Sequence, residues 1–245
     1  MKKWMLSIVV PAFKQEKTIV KDLRHLKRVL DRLSYEHELI LVVDGFLDKT
    51  YSEAKKIKYK NLKVLGYKKN KGKGFAVKYG MLRGKGDVIG FIDAGRDLDP
   101  SQLQIALGIM QLNDADIVIG SKLHEDSKVN YPFVRKVLSW GYRTLTHLLF
   151  GFDVKDTQVG LKIFKKRVAK DIFSRIIVKS LAFDVEVLAV AYSLGYKNIY
   201  ESPIKLDFKA GNSITLSNFW KIIILMLWDT AAIFYRLRIL NFYRR

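Results

Sequence analysis

The feature that most constrains the fold is a series of uninterrupted apolar runs through the first 120 residues. These are LSIVV (6–10), ELILVV (38–43), LKVLGY (62–67), VIGFID (88–93) and DIVIG (116–120). Helix-like patterns fill the gaps, roughly at 16–33, 49–58, 73–84 and 100–112. A strand with one wet face alternates apolar and polar residues, whereas a strand covered on both faces reads as a continuous apolar run. Strands of the second kind separated by helices predict an α/β domain with a mostly parallel sheet between flanking helices. Such sheets bind ligands beyond the carboxyl ends of their strands. The chemistry is therefore expected in Pro11 to Glu16, Asp44 to Asp48, Asp93 to Asp99, and Ser121 with Lys122.

The second half is less regular. A basic helical stretch covers about 131–149, followed by a strand-like VGLKIF (159–164). FDVEVLAVAYSLGY (183–196) reads as a helix closed by Gly195, and NIYESPIKLDF (198–208) as an edge strand. With no internal repeat and no low-complexity linker, residues 1–212 are expected to form one elaborated domain. Residues 213–245 form an appendage, SNFWKIIILMLWDTAAIFYRLRILNFYRR from Ser217 onward. This run is close to the ~20 residues that span a bilayer. Lys221 and Asp229 interrupt it, and an aspartate at mid-membrane costs about 2.5–3.5 kcal/mol. Its basic, aromatic end (Arg236, Arg238, Tyr243, Arg244, Arg245) suits an amphipathic helix lying on anionic lipid. Packing on the sheet as a core helix is the alternative.

Forty-four Lys plus Arg against 24 Asp plus Glu leave a net charge of +20, which predicts an anionic partner. Nucleic acid, lipid headgroups and phosphorylated substrates all qualify. The absence of cysteine excludes disulfides, zinc–thiolate sites and thiol nucleophiles. The histidines (His25, His37, His124, His147) are scattered and form no metal-ligand pair. The N-terminus, MKKWMLSIVVPAF, reads as a first strand with a basic lead and not as a signal peptide.

Two constellations carry chemistry. VIGFIDAGRDLDP (88–100) ends a buried strand in Asp93, Asp97 and Asp99. Asp99, before Pro100 and a helical pattern, reads as a capping residue. A carboxylate at Asp93 is costly unless it is paired or bound to a metal, and hard divalent cations take such oxygen ligands together with substrate phosphates. In KKNKGKGFAVKYGMLRGKGD (68–87), Gly72 and Gly74 alternate with Lys71 and Lys73 before a helix. Helix-start amides and lysines together make an anion site, and between these strands a diphosphate is the expected ligand. The spacing does not match a Walker P-loop.

Seven segments in order resemble glycosyltransferase family 2, with the nucleotide-sugar-binding GT-A (Rossmann-like) fold. They are VVPAFKQEKTI, LVVDGFLDKT, NKGKGFAVKYG, FIDAGRDLDP, IGSK, DTQVGLKIF and FDVEVL. The last two point toward polyprenyl- and dolichyl-phosphate hexosyltransferases. The resemblance implies that Pro11, Ala12, Glu16 and Asp44 line the nucleoside pocket. It implies that Lys71 and Lys73 sit near the diphosphate, and that Asp93, with Asp97, holds Mg2+ or Mn2+. It implies that Lys122, Arg135 and Ser139 meet the acceptor phosphate; Arg135 and Ser139 lie four apart, on one helix face. Asp156 and Gln158 would orient sugar or acceptor, and Asp184 would lie near the sugar or the basic helix, apart from the face of Glu186. The sequence departs from the family pattern at Val43, Phe46 and Gly95, where the pattern has an aspartate, a serine and a further metal ligand.

The implied reaction is inverting transfer of a hexose in one displacement, from UDP-glucose ahead of GDP-mannose, to a polyprenyl or dolichyl phosphate. A prenyl monophosphate is already ionised near neutral pH and needs no strong general base. The implied location is peripheral, on the cytoplasmic face of a membrane, with anionic lipid as partner and no nucleic acid. A membrane-embedded protein that flips or uses the product is a further partner hypothesis. A saccharide or soluble acceptor is the alternative, with Asp156 as the one placed base. A catalytically impaired membrane scaffold and a basic nucleic-acid-binding protein are the other rivals.

Overall fold

The computed structural model describes residues 4–95, 98–130, 133–207 and 216–244, without the side chains of 130, 133–137, 207 and 216–219. Asp97, the side chain of Arg135 and the expected boundary at 212/213 lie outside the described residues.

The anticipated alternation is present. β1 (Met5–Ala12), α1 (Ile19–Leu30), β2 (Glu36–Asp44), α2 (Thr50–Lys55) and β3 (Leu62–Tyr67) come first. α3 (Lys73–Met81), β4 (Val88–Ile92), α4 (Gln102–Leu112) and β5 (Ile117–Ser121) follow. The next elements are β6 (Lys128–Asn130), α5 (Phe133–Phe150), β7 (Leu161–Lys165), α6 (Lys166–Arg175) and α7 (Phe183–Ser193). β8 (Ile199–Pro203), β9 (Lys205–Asp207), α8 (Leu216–Phe234), a π-turn (Tyr235–Ile239) and a 3-10 turn (Phe242–Arg244) close the described chain.

The main sheet has the order β3-β2-β1-β4-β7-β5-β8. All its pairings are parallel except those of β7, which runs antiparallel between β4 and β5. The chain moves outward from β1 through β2 to β3 and then returns to pair β4 with the other side of β1. That reversal is the topological switch point where open α/β sheets form their ligand crevice.

Period-2 side-chain alternation builds two cores from one sheet. Val9, Ile40, Val42, Phe91, Ile119 and Phe164 face α3, α6 and α7. Ile8, Val10, Leu41, Ile92, Leu161 and Ile163 face α1, α2 and α4. Continuous apolar runs are thus the signature of strands buried on both faces. Gly195 closes α7 at φ +88°, a left-handed conformation that glycine adopts at no steric cost.

NIYESPIKLDF departs from its expected single strand. Ile199–Pro203 forms the main-sheet edge beside β5, whereas Lys205–Asp207 pairs with β6 in a second, two-stranded sheet. Pro203 lacks the amide hydrogen that would continue a ladder, and the chain bends away there. Ile204 is buried, with its amide donating to Ser127 Oγ at 2.9 Å.

The C-terminal helix has one face packed on the domain and an apolar face turned outward. Ile233 and Thr230 are buried, Tyr142 Oη lies 2.7 Å from Thr230 Oγ1, and Ser180 Oγ donates to Asp229. Ile224, Leu225 and Trp228 (75% exposed) face outward. Asp229, unfavourable at mid-membrane, is instead a docking group on the protein side. Among the described residues, no helix is long and apolar enough to cross a membrane.

Candidate active site

A cleft of about 1020 Å³ opens at the switch point. Pro11 and Ala12 from the end of β1, Asp44 from the end of β2, and Asp93 to Gly95 after β4 line it. Lys73 at the start of α3, Lys122 after β5, and Gln158 to Gly160 before β7 close its sides, with Ser139 of α5 and Ile222 of α8 at the rim.

Asp93 is held by its backbone, its amide donating to Gly160 O at 2.8 Å. Lys73 Nζ donates to Asp93 Oδ2 at 2.8 Å and is in ion-pair contact with Oδ1 at 2.6 Å. Burial would push the Lys73 ammonium down, but Asp93 and Asp184 outweigh it and hold the pKa above the ordinary lysine value. Lys73 is therefore a cation throughout the physiological range.

Below this pair lies a second one that sequence reading did not anticipate. Lys162, in the middle of β7, is 0% exposed and donates to Asp184 Oδ1 at 2.5 Å and to Val159 O at 2.8 Å. Burial pushes Lys162 down and Asp184 up, each opposed by the charge of the other. Asp184 also faces Lys73 electrostatically, so Asp93, Lys73, Asp184 and Lys162 alternate in sign from the cleft into the core. The signal in the sequence was a lysine inside the apolar strand VGLKIF. Glu186 lies on another face, accepting from the Ile177 and Val178 amides and from Tyr243 Oη at 2.6 Å.

The Gly/Lys loop uses its amides differently from the diphosphate cradle expected. Asp44 accepts from the Lys71 amide (2.7 Å), the Gly72 amide (2.9 Å), Asn70 Nδ2 (2.7 Å) and Tyr67 Oη (2.8 Å). The Gly74 amide donates to Lys179 O at 2.9 Å. The carboxylate of Asp44 is a lining group of the cleft that anchors this loop, and the loop's anion is one of the chain's own carboxylates. Gly72 at φ +95° permits the turn, and a Cβ there would meet Lys179 O at 2.3 Å. The Lys71 ammonium lies over the Phe75 ring, 4.3 Å from its centroid, outside the set of cleft-lining groups. Lys73 is the lysine of this loop that reaches the cleft.

Glu16 also departs from the nucleoside pocket: its carboxylate accepts from the Lys49 amide at 3.0 Å and clips two loops together. Its neighbour Gln15 lines the cleft, with a buried Oε1 lacking any partner among the described residues. Gln15 was missed because one polar side chain in a turn carries no pattern.

Also lining the cleft, Lys122 donates through Nζ to Asp156 Oδ1 at 3.0 Å and through its amide to Oδ2 at 2.9 Å. Asp156 also accepts from the Gln158 amide at 3.1 Å. Asp156 is thereby engaged as the positioning group for Lys122. Gln158 and Ser139 line the cleft. Val43 is fully buried in the sheet core. Phe46 packs on Tyr51, its ring centroid 4.7 Å away, with no part in the cleft lining. Gly95 takes φ +115° with open space where a Cβ would point. Asp99 caps locally as expected, its Oδ1 accepting from the Ser101 amide at 3.0 Å.

Magnesium is usually bound through one or two carboxylates plus substrate phosphates, not by an all-protein cage. Asp93 fits that role as a carboxylate lining the cleft whose partner there is the Lys73 ammonium. Among the described residues no cluster of three acidic or histidine side chains forms a complete cage.

The family profile "Glycosyl transferase family 2" matches residues 7–173, which run from within β1 into α6 and include most of the residues lining this cleft. The chain belongs to glycosyl transferase family 2. Its fold is shared with solved glycosyltransferases of the GT-A type. Mannosyl-3-phosphoglycerate synthase from Rubrobacter xylanophilus superposes with TM-score 0.73 at 16% identity, over 96% of this chain and 74% of that one. Glucosyl-3-phosphoglycerate synthase from Mycobacterium tuberculosis, in complex with UDP, gives 0.71 at 16% identity, over 94% and 80%. Among curated relatives, dolichyl-phosphate beta-glucosyltransferase ALG5D of Trichomonas vaginalis is 31% identical, over 96% of this chain and 75% of its own length. The Drosophila melanogaster dolichyl-phosphate beta-glucosyltransferase is 34% identical over 77% of this chain, which spans 63% of it. The glycosyltransferase reading of the sequence is borne out, as is the GT-A architecture.

Proposed function

We propose that this glycosyltransferase moves glucose from UDP-glucose to a polyprenyl or dolichyl phosphate at a membrane surface. The observation that carries the reading is one continuous cleft lined both by the Lys73–Asp93 pair and by Lys122 and Ser139. Two separate cations in one cleft suit a departing diphosphate and an incoming phosphate. The relatives' action on dolichyl phosphate, and the solved complex of a neighbour with Mn2+ and UDP-glucose, support the same pairing of substrates.

In this scheme the nucleoside lies over Pro11 and Ala12 beside Gln15, and the diphosphate lies toward Lys73. A phosphate oxygen of the acceptor attacks the anomeric carbon as the bond to the β-phosphate oxygen breaks, and UDP leaves with that electron pair. Configuration inverts, and no proton need move if the acceptor is a dianion. Lys73 leaves the Asp93 carboxylate to meet the growing charge on the diphosphate, while Asp184 keeps its ammonium there. A divalent cation held by Asp93 would supply further charge neutralisation there. Lys122, fixed by Asp156, aims the acceptor phosphate. A saccharide acceptor would require a general base, and the carboxylate expected for that task is already hydrogen-bonded to Lys122.

The apolar outer face of α8 gives the reason for a lipid acceptor. Ile222 lines the cleft, while Ile224, Leu225 and Trp228 face outward from the same helix. The protein would sit peripherally, with the prenyl chain still in the bilayer as its phosphate enters.

The deciding experiment supplies purified protein with Mn2+ or Mg2+, a polyprenyl phosphate and radiolabelled UDP-glucose, with GDP-mannose in a parallel tube. Lipid-extractable label from UDP-glucose, absent for Asp93→Ala, is the expected result. Label from GDP-mannose alone overturns the donor, and no label from either overturns the reaction.

A further inference from the structure

A second cavity, of about 430 Å³, lies beside the main cleft and shares Lys122, Ser139 and Gln158 with it as a common wall. Its charge is one-sided. Among the described residues, Lys122, Arg143 and Lys155 contribute three cations, and Asp156, the one acidic lining residue, is bound to Lys122. Arg143 is half-buried and Lys155 exposed, and neither side chain has a hydrogen-bond or ion-pair partner among the described residues. Ser139 and Arg143 are four residues apart on α5 and so occupy one helical face, both lining this cavity.

We infer that this side chamber holds the phosphate monoester of the acceptor, with Arg143 and Lys155 as binding residues beyond those the family resemblance implies. The inference rests on the proposed transfer to a lipid phosphate. A guanidinium presents a rigid fork of donors that matches phosphate oxygens, and an unpaired, partly buried one is ready for such a ligand. A phosphate monoester has a second pKa near 6. Two cations in addition to Lys122 favour its dianion, the form whose oxygen attacks without a base. The apolar part of the wall, Leu123, Val129 and Trp140 (61% exposed), fits the first isoprene unit and not a polar sugar or glycerate. The phosphate then sits against Lys122 and Ser139, at the opening into the cleft, with its hydrocarbon directed outward past Trp140.

The test uses the full chain with radiolabelled geranyl phosphate, a soluble short-chain monoester, in equilibrium dialysis, and inorganic phosphate as competitor. The expected result is that Arg143→Gln and Lys155→Gln each weaken geranyl phosphate binding by roughly ten-fold or more. Inorganic phosphate should compete only weakly, because it lacks the apolar contact. In the transfer assay the same variants should raise KM for the acceptor and leave KM for UDP-glucose unchanged. The acidic limb of kcat/KM for the acceptor should also move to higher pH, a change that a merely structural role would not produce. Wild-type binding that both variants retain overturns the chamber, as does an absence of binding to wild type. Binding that depends on Arg143 without any transfer supports the chamber and overturns the proposed reaction instead. Competition by inorganic phosphate as strong as by unlabelled geranyl phosphate overturns the lipid part of the assignment.

Discussion

Gly160 and Asp93 are packed so closely that a Cβ on Gly160 would lie 2.0 Å from Asp93 Oδ2 and 2.1 Å from its Cγ. The same two residues are joined by the hydrogen bond from the Asp93 amide to Gly160 O. The position of the proposed metal-binding carboxylate is therefore set by the absence of a side chain 67 residues later in the chain (160 − 93). Gly160→Ala is expected to rotate Asp93 out of its seat and lower kcat/KM by at least about 10²-fold, the scale of losing one preorganised electrostatic group. Circular dichroism and thermal melting would show a folded protein. A variant with near-normal turnover would refute this positioning role.

Lys73 is the internal cation paired with Asp93. Lys73→Met is expected to raise KM for UDP-glucose and lower kcat by about 10²–10³-fold. Removing the competing ammonium should at the same time tighten the apparent affinity for Mn2+, read by titrating the metal against binding of the nucleotide sugar. The raised pKa of Lys73 means that no loss of activity from its deprotonation is expected in the physiological range.

Asp44 accepts four hydrogen bonds, two of them from backbone amides. In Asp44→Asn one acceptor oxygen becomes a donor facing donors, leaving buried groups unsatisfied at about 1–3 kcal/mol each. The expected outcome is a fall in melting temperature with increased amide hydrogen exchange at Lys71 and Gly72, and weaker nucleotide binding. Unchanged exchange at these two amides would contradict the anchoring role.

Glu38 is expected to contribute stability that is lost in acid. Burial would raise its pKa, but Lys63, Ser7 Oγ and the Lys85 amide together hold it below the ordinary glutamate value. A carboxylate with a depressed folded-state pKa contributes stability that is full above its unfolded value, about 4.3. That stability is lost as pH falls through the folded value. The melting temperature of the wild type should therefore fall below about pH 4.3 more steeply than that of Glu38→Gln, which will already be lower at pH 7. Parallel pH profiles for the two proteins would rule the effect out.

The outward face of α8 is expected to carry membrane association. Replacing Ile224 and Trp228 by serine should weaken sedimentation with anionic phospholipid vesicles by about ten-fold, since each residue removes a large apolar contact. Transfer to geranyl phosphate in solution should persist, because neither side chain lines the cleft. Full vesicle binding by the double variant would move the membrane contact elsewhere.

Local pattern determined a large share of this protein. The five apolar runs became five strands, and LKVLGY matched its strand residue for residue, because burial on both faces leaves a periodicity that neighbours in sequence share. The switch-point cleft followed, and with it Pro11, Asp44, Asp93 and Lys122 at strand ends. Tertiary structure decided what those residues are free to do. Lys122 and Asp156 are 34 apart in sequence, Lys162 and Asp184 are 22 apart, and Asp44 and Gly72 are 28 apart. Each pairing converts a candidate reactive group into a positioning one. The antiparallel insertion of β7 and the division of NIYESPIKLDF between two sheets arise in the same way. A side chain's partner across the fold leaves no trace in its own local sequence. Periodicity reports which face is buried, whereas charge pairing, close packing at Gly160 and the engagement of each carboxylate depend on which segments the folded chain brings together.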